Sequence, residues 1–303
     1  MILQKIRNNI TQPRQVAKKI LERLSPYIKS DTLYIKLRYW IINGYWLNLE
    51  SPKTFNEKQN WLKINYHNPL YATLVDKYSV KNHVANLIGP EHIIPTLGVW
   101  DTADDIDFNS LPEQFVMKTT HDSGGIIVCT DKSKLNIQEV RKQMSIGIRR
   151  DYSSVSREWG YKNVPHRIIA EQYTVDSKTG VLDDYKFFCF DGKVRIMFIA
   201  TDRQIGEVKF DFYDKDFNHL NIINGHPMAT IPPLKPKSWD KMIEIAEKLS
   251  KGFPFMRIDL YEVDGKVYFG EYTAYHFGAS IKFEPFEWDE IMGNWLNLPE
   301  IKR

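Results

Sequence analysis

Charged side chains stand where this chain otherwise runs apolar. Lys118 follows Phe115, Val116 and Met117, Glu171 follows Ile168, Ile169 and Ala170, and Asp184 and Lys186 precede Phe187 to Phe190. Asp259 interrupts Met256 to Leu260, and Glu271 follows Phe269 and Gly270. A charge at the end of a buried strand is costly unless something pairs with it. Lysines and carboxylates on separate strands point to a cleft that neutralises phosphate with lysine and a metal ion. The stretch FVMKTTHDSGGIIVCT, residues 115–130, fits that chemistry. A hairpin needs only two or three turn residues, yet this one carries Lys118, His121, Asp122, Ser123, Gly124 and Gly125 between apolar runs. Glycines let backbone N–H groups approach phosphate oxygens with no Cβ in the way, and Lys118 adds a point charge. Asp259 and Glu271 fall on the two arms of one expected hairpin, where their carboxylates could share Mg²⁺ bridging phosphates. The glycine pair alone is weak evidence. The order of lysine, glycine hairpin, strand glutamate, Asp-x-Lys, then Asp and Glu on one hairpin is far more specific.

The elements that must position these groups are legible from period and punctuation. Residues 13–45 have helical spacing, with Val16, Ile20, Leu24 and Ile28 on one face. Thr54 and Glu57 fit a capping box ahead of a helix. A second helix is expected over NPLYATLVDKYSVKNHVANLIG, stopping at Gly89, followed by a buried strand in HIIPTLGVW. Residues 136–150 read as a basic helix, RIIAEQYT as a strand, and DYKFFCFDGKVRIMFIAT as a hairpin turning at Asp191-Gly192. A helix over KPKSWDKMIEIAEKLSKG stops at Gly252, and FMRIDLYEVDGKVYFGEYTAY is a hairpin turning at Asp264-Gly265. Helices mixed with antiparallel hairpins make the fold class α+β rather than a run of βαβ units.

With 303 residues, 43% hydrophobic and 26% charged, the chain has room for two or three compact units. Cys129 and Cys189 lie far apart in apolar runs, which argues for reduced, buried thiols. No apolar run is long enough for a spanning helix, and the start lacks the apolar core of a secretory signal, so a cytoplasmic protein is expected. Residues 1–45 carry a net charge of +7 within an overall +3. With Tyr34, Tyr39, Trp40, Tyr45 and Trp46, that basic arm could touch the inner face of an anionic membrane or a polyanionic glycan, or simply be a solvated helical face. No basic reading helix with a known motif is present, so nucleic acid is not expected as a partner.

Taken together, LESPKTFNEKQNWLK, NPLYATLVDKYSVKNHV, IIPTLGVW, FVMKTTHDSGG, RIIAEQY, DYKFFCFDGKV, DFYD, EKLSKGFPFMRIDLY and VYFGEYTAY resemble the ATP-grasp superfamily, within it the polysaccharide-biosynthesis branch named after the teichuronopeptide protein TupA. The resemblance runs from about Leu47 to Leu298. It implies an ATP-grasp fold, two α+β subdomains gripping the nucleotide, preceded by a helical N-terminal region. The expected division is a basic arm over 1–46, a helical and strand subdomain over 47–112, a lid subdomain over 113–173 and a metal-bearing subdomain over 174–303.

The resemblance also implies roles. Lys77 and Lys118 match lysines directed at the nucleotide phosphates, and Ser123, Gly124 and Gly125 match the loop that closes over the triphosphate. Residues 169–173 match the hinge strand beside adenine, with Glu171 set for the adenine amine or ribose hydroxyls, Tyr173 beside it and Asp184 at the next strand. Lys186 stands where a basic residue meets the γ-phosphate or acyl phosphate, and Arg203 and Arg257 are clamps for carboxylate or phosphate. Asp259 and Glu271 match metal ligands. Thr273 stands where many relatives place an asparagine, which puts a second Mg²⁺ in question. AYHFGASIKF, residues 274–283, departs from the family pattern and is expected to shape the acceptor pocket.

His121 and His276 are candidate bases or structural residues, Asp122 is expected to order the glycine loop, and Trp61 of QNWLK reads as core rather than a sugar platform. The implied activity is an ATP-dependent carboxylate–amine ligase forming an amide through an acyl phosphate, with a saccharide or uronic-acid acceptor and an amino-acid or amine co-substrate. A glycosyltransferase, with Asp214-Lys215-Asp216 as its metal motif, and a non-catalytic partner of the same fold are the alternatives.

Overall fold

The computed structural model describes residues 13–202 and 206–300. Helices α1 (Pro13–Leu24), α2 (Asp31–Asn43), α3 (Phe55–Asn65), α4 (Leu70–Val75) and α5 (Ser79–Ile88) precede the first strand. Strands β1 (Thr96–Trp100), β2 (Phe115–Thr119), β3 (Ile127–Cys129) and β4 (Ile168–Gln172) form an antiparallel sheet in the order β1-β4-β2-β3, and α6 (Ile137–Ile148) packs on β2. Helix α7 (Tyr152–Ser156) leads toward β4. Strands β5 (Asp184–Phe190), β6 (Lys193–Thr201), β7 (Lys209–Asp214), β8 (His219–Leu220), β9 (Phe255–Val263) and β10 (Lys266–Thr273) form a second antiparallel sheet, ordered β10-β9-β5-β6-β7-β8. Helix α8 (Trp239–Ser250) covers β5, β6 and β9, and α9 (Glu287–Trp295) packs on α3.

Local chemistry explains most boundaries. Thr54 and Glu57 form the full capping box of α3. Asp191-Gly192 and Asp264-Gly265 all take positive φ, the geometry of a tight turn whose twist matches the flanking strands. The larger core gathers around the second sheet: Phe55, fully buried, meets the rings of Phe188, Phe190, Phe255 and Phe283 and so anchors α3 to it. Trp61 packs against the same core. A separate cluster of Phe115, Met117, Ile168, Ala170, Val140 and Met144 fills the space between the first sheet and α6. Both cysteines are buried and free.

Four expectations are corrected. The single helix expected over 68–89 breaks at Asp76. Its carboxylate accepts from the Tyr78 N–H and the Ser79 hydroxyl and pairs with Arg167 at 2.6 Å, starting α5 afresh and leaving Lys77 in the break. The strand in HIIPTLGVW is an edge strand with an exposed start, not a buried one. In α1 it is Leu21 that is buried, while Ile20 and Leu24 are about half exposed. Tyr34 and Tyr39 are fully buried beneath α2, so they are no part of an exposed aromatic face; Trp40 and Trp46 are exposed and stack on each other. The arm is also tied down: Tyr34 donates to the Val155 carbonyl, and Arg157 pairs with Asp31 at 2.8 Å.

Candidate active site

Strand alternation decides which side chains face the cleft. On β2 and β4, Phe115, Met117, Ile168 and Ala170 enter the α6-side core, so Lys118 and Glu171 share the opposite face. There Glu171, 6% exposed, is gripped from two sides, each of its oxygens 2.5 Å from a lysine, Lys118 or Lys81 of α5. Burial would raise its pKa, but the two lysines outweigh that and it is lowered. Glu171 is thus the counter-ion of a lysine pair; it reaches a nucleotide hydroxyl only by releasing one of them. Lys81 had no motif to mark it. Tyr173 lies further along, in a separate depression of about 480 Å³ with Ile93, Gln172 and Tyr268.

Lys77 joins these lysines against Tyr261, Phe269 and Gly270 of the second sheet. Its Nζ donates to the Asp122 carbonyl, and its backbone N–H to the Thr120 carbonyl at 3.1 Å. Burial lowers its pKa against the pull of Glu271. The glycine loop therefore has a fixed root and a free tip. Thr119 donates to Asp122, which is fully buried, whereas Ser123, Gly125 and Ile126 are exposed. Gly124 and Gly125 have φ of +140° and +62°, which L side chains rarely adopt, while a Cβ at either would meet only ordinary van der Waals contacts with Arg150, Thr119 or Asp122. His121 does not face the cleft: it is 1% exposed, stacks on His166 and bonds the Arg150 carbonyl. Its place is structural, not that of a base facing the substrate.

On the second sheet Lys186 lies opposite Asp259, and Arg257 opposite Thr273. Arg257 holds Asp259 with both Nε and Nη2, at 2.7 and 2.8 Å, and Lys186 adds a second cation that also pairs with Asp184 at 2.6 Å. Burial alone would raise the Asp259 carboxyl; Arg257 and Lys186 reverse this and hold it below its ordinary value. Arg257 is in turn oriented by the Thr273 hydroxyl at 2.9 Å and by His276 Nδ1 at 2.9 Å. His276 Nε2 meets Asn224 Oδ1 at 2.7 Å. Burial, then Arg257, keep this histidine neutral, so it aims Arg257 rather than taking substrate protons. Arg203 lies outside the described residues.

Glu271 reaches the same face through a bulge. Leu260 pairs with Phe269 and Asp259 with Glu271, so Gly270 is the extra residue that switches the parity of β10. A Cβ on Gly270 would stand 3.0 Å from the Asp259 carbonyl. Among the described residues Glu271 makes no ion pair. It opens onto a cleft of about 520 Å³ whose walls come from α2 (Arg38), the lid side (Ser123, Tyr152, Glu158) and the second sheet (Arg257, Thr273). Tyr275, Phe277 and Gly278 form its far wall, placing the divergent segment 274–283 where an acceptor would lie. Phe277, Gly278 and Ala279 run at φ of 46°, 62° and 58°, a left-handed stretch of the strained kind found at binding sites.

Oxygen donors suit a hard cation such as Mg²⁺, and Asp259 and Glu271 are neighbours across the hairpin. Glu271 makes no ion pair among the described residues, so it fits at once; Asp259 is held by Arg257 through both oxygens as well as by Lys186, so it would fit only if these cations gave up part of their hold. Thr273 does not fit, because its hydroxyl is committed to Arg257. Among the described residues no cluster of three His, Cys, Asp or Glu side chains forms a ready cage. Asp214, the supposed glycosyltransferase motif, instead accepts from Asp216 and Asn218 and caps its own turn.

Several solved structures are similar at low identity. The D-alanine–D-alanine ligase of Bacillus anthracis complexed with ATP is 15% identical, with 67% of this chain and 55% of that one covered and a TM-score of 0.39. The ATP-grasp ligase PsnB with its minimal precursor, Mg and ADP is 10% identical, with 72% and 57% covered and a TM-score of 0.38. The D-alanine–D-alanine ligase of Helicobacter pylori is 13% identical, with 80% and 69% covered and a TM-score of 0.43. The chain spans little more than half the length of the first two. No curated protein matches it. The model of the family described as TupA-like ATPgrasp matches residues 57–297, most of the chain. This α+β protein, with its two antiparallel sheets and helical N-terminal region, belongs to the TupA-like ATP-grasp family.

Proposed function

We propose that the protein is an ATP-dependent carboxylate–amine ligase that makes an amide on a uronic acid or similar saccharide carboxylate during surface polysaccharide synthesis. The observation that carries this is one row of groups between the two sheets. Lys81, Lys118 and Lys77 lead from the hinge strand toward Glu271 and its open cleft. Three lysines suit a triphosphate better than a sugar diphosphate. Lys77 and Lys118 hold phosphate oxygens, and Lys186 leaves Asp259 to meet the phosphoryl group being transferred. Mg²⁺, held by Glu271 and Asp259, would supply further charge neutralisation between phosphates. Ser123, Gly124 and Gly125 cover the cleft and exclude water that would hydrolyse an acyl phosphate.

The test is the nucleotide product. Given Mg-ATP, uronic-acid glycan and hydroxylamine, the purified protein is expected to yield ADP and an acyl hydroxamate, each dependent on the other substrate. A protein that ignores ATP and extends the glycan from a nucleotide sugar would instead be a glycosyltransferase, and the ligase reading would fall.

We also propose a peripheral contact with anionic lipid. No helix among the described residues is long and apolar enough to cross a membrane. Yet Ile20, Leu24, Tyr27 and Leu33 are 52%, 48%, 80% and 52% exposed, with Lys19, Arg23 and Lys29 exposed near them. Apolar side chains among lysines and arginines suit the interface of an acidic bilayer. Exposed charges are screened over about 8 Å at physiological ionic strength, so binding to phosphatidylserine vesicles is expected to weaken as salt rises. Replacing Ile20 and Leu24 by serine should abolish it; equal co-sedimentation of variant and parent would remove the proposal.

A further inference from the structure

Beside the cleft onto which Glu271 opens lies a second cavity of about 450 Å³, set between α1, α2 and the segment 274–283. Its charged lining side chains are all cations: Arg14, Lys18, Arg38 and Lys282. They come from three separate stretches of chain, so the fold gathers them, not a run of basic sequence. Arg14, Lys18 and Leu21 recur at i, i+4 and i+7 along α1. Leu21 is buried with Tyr34 and Tyr39 of α2, which turns Arg14 and Lys18 toward that helix. The Arg14 guanidinium lies over Gly44, the left-handed residue that ends α2, where a Cβ would stand 2.7 Å from its Nη2. Arg38 donates from Nη1 to Ser280 Oγ at 2.9 Å, which ties α2 to the 274–283 segment.

No carboxylate lines this cavity. Among the described residues Arg14, Arg38 and Lys282 make no ion pair, and Lys18 has only Glu22, 3.6 Å away on the same helix. Like charges gathered without a counter-ion repel, and a polyvalent anion relieves that repulsion on entering. Ile41 and Ile281 stand among the cations, and apolar walls strengthen each charge contact by excluding water. Lys18, Arg38 and Phe277 line both this cavity and the Glu271 cleft, so the two spaces meet and one molecule can enter both.

We infer that the second cavity is an anion site for a phosphate ester, so that the saccharide handled here is a sugar phosphate rather than a free sugar acid. Its phosphate lies among Arg14, Lys18 and Lys282, and its carboxylate points past Arg38 into the Glu271 cleft. The placing of the carboxylate rests on the ligase reading above; the anion site and the extra charge on the substrate go beyond it. A phosphate monoester carries about −1.5 to −2 at pH 7 and three acceptor oxygens, which suits several cations at once better than a lone carboxylate does. The site is separate from the nucleotide lysines, because Lys77, Lys81 and Lys118 line a different cavity. Helical spacing also sets Arg14 and Lys18 on a different face of α1 from Ile20 and Leu24, the side chains offered to lipid.

The experiment is calorimetry on the full chain saturated with Mg²⁺ and a non-hydrolysable ATP analogue, titrated with glucuronic acid 1-phosphate and with glucuronic acid. Absence of analogue binding would sink the ligase reading itself. With the analogue bound, the phosphate ester is expected to bind about tenfold or more tighter than the free acid, the effect of one good charge-assisted contact. Arg14→Gln and Lys282→Gln have no hydrogen bond or ion pair of their own side chains to lose among the described residues. Each should take away about tenfold in affinity for the phosphate ester and leave the free acid and the analogue unchanged. Lys237→Gln, which removes an exposed charge that is not part of the cavity, should change nothing. Equal affinity for the two sugars, no binding of either, variants that bind like the parent, or an equal loss in Lys237→Gln would each overturn the inference. So would displacement of the sugar phosphate by phosphatidylserine vesicles, which would assign the cavity to a lipid headgroup.

Discussion

Glu271→Gln is expected to abolish turnover without unfolding the protein, whereas Asp259→Asn should damage both. Glu271 has no ion pair to lose among the described residues, and glutamine fits the same space. Its melting temperature should stay within about 2 °C of the parent. On the ligase reading, what disappears is the charged oxygen that would hold Mg²⁺ against the phosphates, and loss of one preorganised charge-stabilising group costs on the order of 10²–10³ in rate. Asp259 differs because Arg257 and Lys186 both rest on it, and all three are largely buried. Removing one partner of such a cluster leaves cations without their counter-charge, at a cost of ~3–5 kcal/mol. Melting curves and ADP release measured on both variants separate the cases. Wild-type turnover in Glu271→Gln, or a wild-type melting temperature in Asp259→Asn, would contradict this division of labour.

The same contrast marks how far the sequence could be read. Elements set by neighbours along the chain were legible: the Thr54–Glu57 capping box and the two Asp-Gly turns need only residues a few positions apart. The break at Asp76 was not, because Leu70 to Ile88 carries an unbroken helical pattern and the partner that fixes Asp76 is Arg167, far along the chain. The buried face of α1 differs from its spacing for a similar reason. Its spacing allows two stripes, and Tyr34 and Tyr39 of the following helix select the one containing Leu21.

In the site, charged residues at strand ends announced themselves because a charge in an apolar run has no bland explanation. Lys81, Arg38 and Glu158 sit on helices or in a loop where charged side chains are ordinary, so nothing in their neighbourhood singled them out. For Lys81 and Arg38 the significance arises from contacts across more than eighty residues, Lys81 with Glu171 and Arg38 with Ser280. Glu271 was identified from its place beside Asp259, yet strict alternation from Phe269 would have put it on the other face. The Gly270 bulge, which no residue pattern specified, is what turns it to the cleft.

Lys77→Met should weaken nucleotide binding and loosen the glycine loop at once. The side chain stands in the break between α4 and α5, 14% exposed, with its Nζ on the Asp122 carbonyl and 4.0 Å from Asp122 Oδ1. Methionine keeps the length and the apolar stem but removes the charge. A hydrogen bond to a charged group contributes about 1.5–3 kcal/mol, so affinity for Mg-ATP is expected to fall by about 10- to 150-fold. Independently of nucleotide, the backbone amides of residues 120–126 should exchange hydrogen faster, because the root of the loop loses the cation that ties Asp122 to α5. Thr119 still holds Asp122 from the other side, so the loop loosens rather than melts. A lysine that only met phosphate would change affinity and leave exchange untouched; one that only braced the loop would do the reverse. Both changes together are the signature of a residue that couples phosphate capture to closure of the loop, and either change alone would refute that coupling.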